Sequence, residues 1–235
     1  MTGVSHIDRS RAMRVLALET STAACSVALF DDGHILARRF GAMSRGHAEI
    51  LMPMLAEVLA EAGLGIGAID RLAVTVGPGA FTGLRVGLAA ARGLALATGC
   101  PLVGLTGFTV IAGGLTAEEI AGRSVLIAID SRRPELFLQR FNSRLEAEAE
   151  PDLLTPEDCA ARLAIGPLLI AGDGSPALKK ALSTRPHTYY AEGSGLPDAA
   201  VLARLAAALP NGAGLPPRPL YLRAPDAIIP AQLIR

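Results

Sequence analysis

LALETSTAACSVALFDDG, Leu16 to Gly33, holds two short apolar runs separated by an acid and a cluster of small hydroxyl residues. With Arg14 and Val15 ahead of it, RVLAL (Arg14 to Leu18) predicts one strand and SVALF (Ser26 to Phe30) a second. Asp31-Asp32-Gly33 then predicts a tight turn into a third strand over Ile35 to Arg39, because Asp-Gly tolerates the positive φ that such turns require. Three consecutive strands of this kind form one sheet. The segment Glu19-Thr20-Ser21-Thr22 sits at the end of the first strand, where a carboxylate can position a hydrated metal ion and small residues admit phosphate oxygens.

Beyond this opening, apolar residues at Ile50, Leu51, Met54, Leu55, Val58 and Leu59 recur at helical spacing and predict a helix over Gly46 to Ala62. Pro53 within it predicts a kink or a later start. A strand (Leu72 to Val76), a Gly77-Pro78-Gly79 turn, a Gly- and Ala-rich helix (Thr82 to Ala97), a strand (Leu102 to Leu105) and a helix (Thr106 to Gly114) follow. The opening pattern then restarts. VLIAI (Val125 to Ile129) runs into Asp130-Ser131, and strands are expected over Glu135 to Phe141 and Arg144 to Glu148. Thr155-Pro156 opens a helix through Leu163, Leu168 to Ala171 reads as a strand, and helices are expected over Asp173 to Leu182 and Asp198 to Leu209. An acid at a strand end is often only a turn residue. Two of them, Glu19 and Asp130, at equivalent places in two like halves match where actin-like ATPases carry their phosphate loops. The expected fold is therefore α/β, actin-like ATPase (ribonuclease H-like), with two duplicated lobes, each a mixed sheet covered by helices. The expected division is a tail at 1–12, an N-terminal lobe at 13–115 and a smaller, degenerate C-terminal lobe at 116–235.

At 235 residues the chain can bury a sizeable core without a metal or disulfide staple. Hydrophobic residues make up 51%, yet Gly, Pro or charge breaks every run short of the ~18 residues of a membrane span. The formal net charge is +0 and the pI about 6.9, which argues against sequence-independent nucleic-acid binding by this chain alone. Cys25, Cys100 and Cys159 form no CxxC or Cys/His cluster and read as reduced thiols of a cytosolic protein. Met1 to Ala12 is polar, lacks the apolar stretch of a secretory signal, and reads as a loose tail or an upstream start.

GPGAFTGLR (Gly77 to Arg85) is the most specific segment: a strand end, a proline between two glycines, and a helix start with Thr82 as the expected cap. It can cradle an anion or serve packing, since Gly83, Gly87 and Ala91 share one close-approach face. Arg85, Leu88, Ala89 and Arg92 fall on another face, which suits a partner helix or a solvated surface. Gly172-Asp173-Gly174, between a strand and a helix, is either an ordinary turn or a place where backbone N–H groups face an adenosine or phosphate. His47 stands at the entrance of the first long helix, in a functional role or as a capping group. The histidines show no metal spacing, and the chain contains neither a GxSxG elbow nor a Walker-type loop.

Taken together, LALETSTAACSVALFDDG, SRGHAEILMPML (Ser44 to Leu55), VGPGAFTGLRVGLAAARGLAL (Val76 to Leu96), AIDSRRPELF (Ala128 to Phe137) and PLYLRAPDAIIP (Pro219 to Pro230) resemble the TsaB family over about residues 13 to 230. The resemblance implies a cytoplasmic, non-catalytic subunit in the formation of threonylcarbamoyladenosine next to the tRNA anticodon. It implies pairing with the transferase TsaD through the two long helices (His47, Ile50, Met54; Arg85, Leu88, Ala89, Arg92) and support for recruiting the ATPase TsaE. The isolated chain is read as either a homodimer or a monomer, with tRNA reached only through the complex. The two metal-binding histidines of TsaD fall on Gly107 and Ile111, so no metal is expected. Glu19 replaces the Asp of many relatives and moves the carboxylate by about one methylene, which weakens an inherited metal-water geometry. Glu19, Thr20, Ser21, Asp130, Gly172 and Gly174 are thus read as vestigial phosphate loops, with no cofactor beyond a weakly held adenine nucleotide. The competing reading is a small phosphotransferase that uses Glu19 and Asp130 with ATP.

Overall fold

The computed structural model describes residues 13–193 and 195–223; the tail expected at 1–12 and the end of the PLYLRAPDAIIP segment lie outside them. The opening meander is β1 (Val15–Glu19), β2 (Ala24–Asp31) and β3 (His34–Ala42), with Asp32 and Gly33 at φ 44° and 84° in the turn. Helix α1 (His47–Glu61) runs through Pro53, so the proline neither delays nor divides it. β4 (Arg71–Thr75), α2 (Phe81–Thr98) and β5 (Leu102–Leu105) complete a sheet of order β3-β2-β1-β4-β5, antiparallel through the meander and parallel from β1 to β5.

Short helices α3 (Gly107–Gly113) and α4 (Ala117–Ile120) lead to β6 (Ser124–Asp130), β7 (Leu136–Phe141), β8 (Asp152–Leu154), α5 (Pro156–Arg162), β9 (Leu168–Ala171), α6 (Ser175–Ala181) and β10 (Thr188–Tyr190). The second sheet, β8-β7-β6-β9-β10, repeats the order and sense of the first strand for strand. The third strand expected at Arg144 to Glu148 is a turn instead. Asn142 accepts from the backbone N–H groups of Arg144 and Glu146, Leu145 takes φ 61°, and the strand forms later as β8. The helix expected from Thr82 starts at Phe81, and Thr82 does not cap it; the N-cap residue is Ala80.

Every residue of β1 is buried, so it alternates two apolar faces rather than one apolar and one polar. Leu16 and Leu18 pack with Leu51, Leu55 and Val58 of α1, while Val15 and Ala17 pack with Leu202, Ala203 and Ala206 of the last helix, α7 (Ala199–Ala208). By sequence α7 belongs to 116–235; in space it covers the first sheet. The Ser26 hydroxyl accepts from the Ala199 N–H at its start, and the buried Arg71 guanidinium donates to Ala206 O (2.5 Å), Leu209 O (2.8 Å) and Asn211 Oδ1 (2.7 Å) at its end. A cation at a helix C-terminus is favoured by the exposed carbonyls there. Arg71→Met keeps the bulk but strands three acceptors, and is expected to lower stability by about 3 kcal/mol; urea denaturation with an unchanged midpoint would refute this anchoring role.

Candidate functional site

Glu19 ends β1 with none of its surface exposed. Its Oε1 accepts from the Ser21 N–H and the Ser21 hydroxyl, both at 2.5 Å, while Oε2 is buried without a partner. Burial pushes its carboxyl up from 4.5 to about 7 against the opposing hydrogen bonds. The rest of the loop is turned toward α2: the Thr20 hydroxyl donates to Gly83 O (2.7 Å) and Ser21 O accepts from the Ala80 N–H (2.7 Å). A Cβ on Gly79 would lie 1.8 Å from Ser21 O, and one on Gly83 would lie 2.2 Å from Thr20 O. The start of α2 therefore closes the first acid loop. Of the two readings of GPGAFTGLR, packing is the one the geometry carries.

The second loop is more open. Asp130 is half-buried; its N–H donates to Asp173 Oδ1 (2.9 Å) and its own Oδ1 accepts from the Arg132 N–H (2.8 Å). Burial raises the Asp173 carboxyl, and the nearby Asp130 charge adds to the effect. Gly172, at φ 106°, lies so close to β6 that a Cβ would meet Ala128 O at 2.0 Å; Gly174 donates to the same oxygen at 2.9 Å. The turn is covered in turn by the chain at Gly195, whose Cβ would stand 2.5 Å from the Gly172 carbonyl carbon. Gly172 and Asp173 line a cavity of about 500 Å3 with Glu119, Glu192, Asp198 and Lys179, an acid-rich wall that disfavours phosphate. Neither Glu19 nor Asp130 lines it, so the two acids are not brought into one chamber there. Among the described residues no group of three or more His, Cys, Asp or Glu side chains is placed to hold a metal ion.

The expected helix face needs two corrections. His47 is buried, its Nε2 within 3.2 Å of Thr22 O and 3.1 Å of Ala24 O, so it ties α1 to the loop after β1 and presents nothing to a partner. Leu88 is also buried, packed with Val74, Val76, Leu84 and Ala91 against β4. The exposed row on α2 is Arg85, Ala89, Arg92 and Leu96, with Leu96 at 90% exposure. Its spacing of four, three and four residues was available to reveal Leu96 in advance. On α1, Ile50 and Met52 are exposed and Met54 is half-buried. The chain that returns after α7 also takes up both cations. Arg92 Nε donates to Pro217 O (2.7 Å), while Arg85 Nε donates to the Tyr221 hydroxyl (3.1 Å) and its guanidinium lies 3.5 Å over the Phe81 ring.

Two lobes of one strand order, each with an acid at the end of its central strand, define a protein of the actin-like ATPase fold. The family model described as TsaD, tRNA N6-adenosine threonylcarbamoyltransferase, matches residues 41–210. The tRNA threonylcarbamoyladenosine biosynthesis protein TsaB of Escherichia coli (strain K12) is 38% identical over 149 residues, 62% of this chain and 64% of that protein. Its namesake in Haemophilus influenzae is 40% identical over 133 residues, 54% and 53% of the two chains. The chain thus spans less than two thirds of the length of these two relatives. The solved structure of YeaZ from Pseudomonas aeruginosa superposes with a TM-score of 0.76 at 32% identity, over 89% of this chain and all of that one. The chain belongs to this TsaB/TsaD family.

Proposed function

We propose that the chain serves threonylcarbamoyladenosine formation in tRNA as a non-catalytic, cytoplasmic subunit that pairs with a TsaD-type transferase and supports recruitment of TsaE. The observation that carries the non-catalytic part is the sealed first loop: with Glu19 wholly buried and α2 packed over Thr20 and Ser21, the acid does not reach a metal-bound nucleotide. The relatives named TsaB support the pathway, and the family model described as a transferase supports the kind of partner. The interface is read on α1 and α2, with exposed Ile50 and half-buried Met54 four residues apart on α1 and the exposed row Arg85, Ala89, Arg92 and Leu96 on α2, which also serve as the surface for a second copy when the chain is alone.

Mixing the chain with a TsaD transferase is expected to give a heterodimer on light-scattering chromatography, and omission of the chain is expected to abolish modified tRNA in a mass-spectrometric assay. Ala89→Glu with Leu96→Asp places two charges on the exposed row and is expected to weaken pairing at least about a hundredfold while leaving the fold intact. Leu88→Asp is unsuitable because it would break the core. Unchanged co-elution of the double variant would return the face to solvent. ATP turnover by the isolated chain that is lost in Asp130→Ala would overturn the non-catalytic reading.

A further inference from the structure

The chain that returns after α7 crosses the first lobe as a strap, 215–221, that is tied down on both sides. Leu215 and Gly104 of β5 exchange two hydrogen bonds, at 2.8 and 2.9 Å, and the Leu220 N–H donates to Val76 O (2.7 Å) just past β4. The Leu220 side chain packs with Val76, Leu84 and Leu88, so the strap is seated against the base of α2. From this fixed base two acceptors reach the exposed side of the helix. Pro217 O accepts from Arg92 Nε (2.7 Å), and the Tyr221 hydroxyl accepts from Arg85 Nε (3.1 Å). The Phe81 ring stacks on Tyr221 with centroids 5.7 Å apart and lies 3.5 Å beneath the Arg85 guanidinium, which is thus held at Nε and on one face.

Other arginines of this lobe are held differently. Arg14 faces Asp31, Arg38 faces Asp198, and Arg39 faces Glu57 and Glu61, so each cation meets a carboxylate. Arg85 and Arg92 bind uncharged oxygens instead, and among the described residues neither makes an ion pair or uses an Nη atom in a hydrogen bond. Helix α2 itself contains no acidic residue. A guanidinium gripped at Nε keeps four of its five N–H groups, in the planar fork that a carboxylate accepts two at a time. Holding the side chain beforehand also removes ordering cost that would otherwise weaken association. Arg92 lies seven positions after Arg85, two turns or about 10 Å along the helix, with exposed Ala89 between them.

We infer that the strap is a positioning element of the α2 face: it sets Arg85 and Arg92 so that their Nη edges meet two carboxylates about two turns apart on one partner helix. An apolar side chain of that helix fits over Ala89, where α2 presents only a methyl group. The inference rests on the reading of this face as the interface in the proposed function. To that reading it adds the acidic character of the partner helix and the role of Pro217 and Tyr221, which touch α2 from 125 and 136 residues away.

Titration calorimetry of the full chain against a TsaD-type transferase, over about 50 to 300 mM KCl, tests it. Tyr221→Phe keeps the ring and removes only the hydroxyl that holds Arg85, and is expected to weaken pairing about threefold to tenfold with an unchanged melting temperature. Arg85→Lys, which has no fork, is expected to cost about tenfold in the parent but only about twofold in the Tyr221→Phe chain, where the edge is already unset. That non-additivity is the signature of positioning, and a tyrosine that merely supported the fold would not produce it. Arg92→Glu is expected to weaken pairing about a hundredfold at the lowest salt and less at the highest, because like charges then oppose. Additive effects of Tyr221→Phe and Arg85→Lys would overturn the positioning role, and affinity indifferent to salt and to Arg92→Glu would overturn the acidic partner helix. A chain whose α2 arginines serve only a second copy, with the transferase complex unaffected, would also overturn the inference. The two readings fail distinguishably: no complex with the parent chain at any salt sinks the proposed function and this inference with it, whereas a complex that ignores these variants sinks the inference alone.

Discussion

Gly83→Ala is expected to destabilise the chain by about 2–4 kcal/mol and to lower its melting temperature by about 10 °C. In most helix interiors this exchange stabilises by about 1 kcal/mol, because alanine loses less backbone entropy. Here the added methyl would stand 2.2 Å from Thr20 O and 3.4 Å from its carbonyl carbon. Both are backbone atoms of a fully buried loop, so no flexible side chain can swing away. Separating the two segments would stretch the Thr20 hydroxyl bond to Gly83 O and the Ala80 N–H bond to Ser21 O, exposing buried polar groups to partial loss of their partners. Gly93 on the same helix provides the internal comparison, since a Cβ there meets nothing within 4 Å. Gly93→Ala is expected to gain about 0.5–1 kcal/mol. Thermal and urea denaturation of the pair reads the difference directly, and a Gly83→Ala chain as stable as Gly93→Ala would show that α2 does not hold the first acid loop shut.

The features legible in the sequence were local ones. The meander followed from alternating apolar runs and an Asp-Gly turn, and the duplication followed from two acids at like strand ends. Thr155, Pro156 and Asp198 marked helix starts that the structure keeps, with Thr155 accepting from the Asp158 N–H and Asp198 from the Ala200 N–H. Where spacing was asked to choose between neighbours, it had no means to do so. The 3.6-residue period placed Leu88 beside Arg85 and Arg92 but could not say that β4 of the same chain already fills that direction. His47 looked available at a helix entrance because the carbonyls of Thr22 and Ala24 that engage it are set by tertiary packing. Contacts across 125 and 136 residues, Arg92 to Pro217 and Arg85 to Tyr221, leave no periodic trace at all. The same holds for α7, whose small apolar face suits either sheet until Ser26 and Arg71 anchor it to the first. β10 went unread because three residues, Thr188 to Tyr190, are too few to show a period.

Glu19→Gln is expected to stabilise the chain above neutral pH and to change little in acid. In the folded chain burial raises this carboxyl to about 7, with the hydrogen bonds from Ser21 opposing and the Asp198 charge adding. In the unfolded chain it titrates near 4.5. Between those two values the folded state holds one proton more than the unfolded state, so stability is greatest at low pH, declines as pH rises through the window, and levels off above about 7. The window from 4.5 to about 7 corresponds to at most about 3 kcal/mol. Glutamine never ionises, so it escapes that decline. Its amide oxygen still accepts from the Ser21 N–H and hydroxyl, and its amide nitrogen finds an acceptor in the neighbouring Thr75 hydroxyl, which is otherwise buried without a partner. Urea denaturation at pH 5 and pH 8 is expected to show near-equal stability at the first and a gain of about 1–3 kcal/mol for the variant at the second. A difference that stays constant with pH would mean that Glu19 is charged in the folded chain throughout. A charged Glu19 would leave open the metal-positioning role of an actin-like phosphate loop; a carboxyl that holds its proton up to neutrality, closed in by Ser21 and Gly83, has become a packing and hydrogen-bonding group at the foot of the helix that seals it.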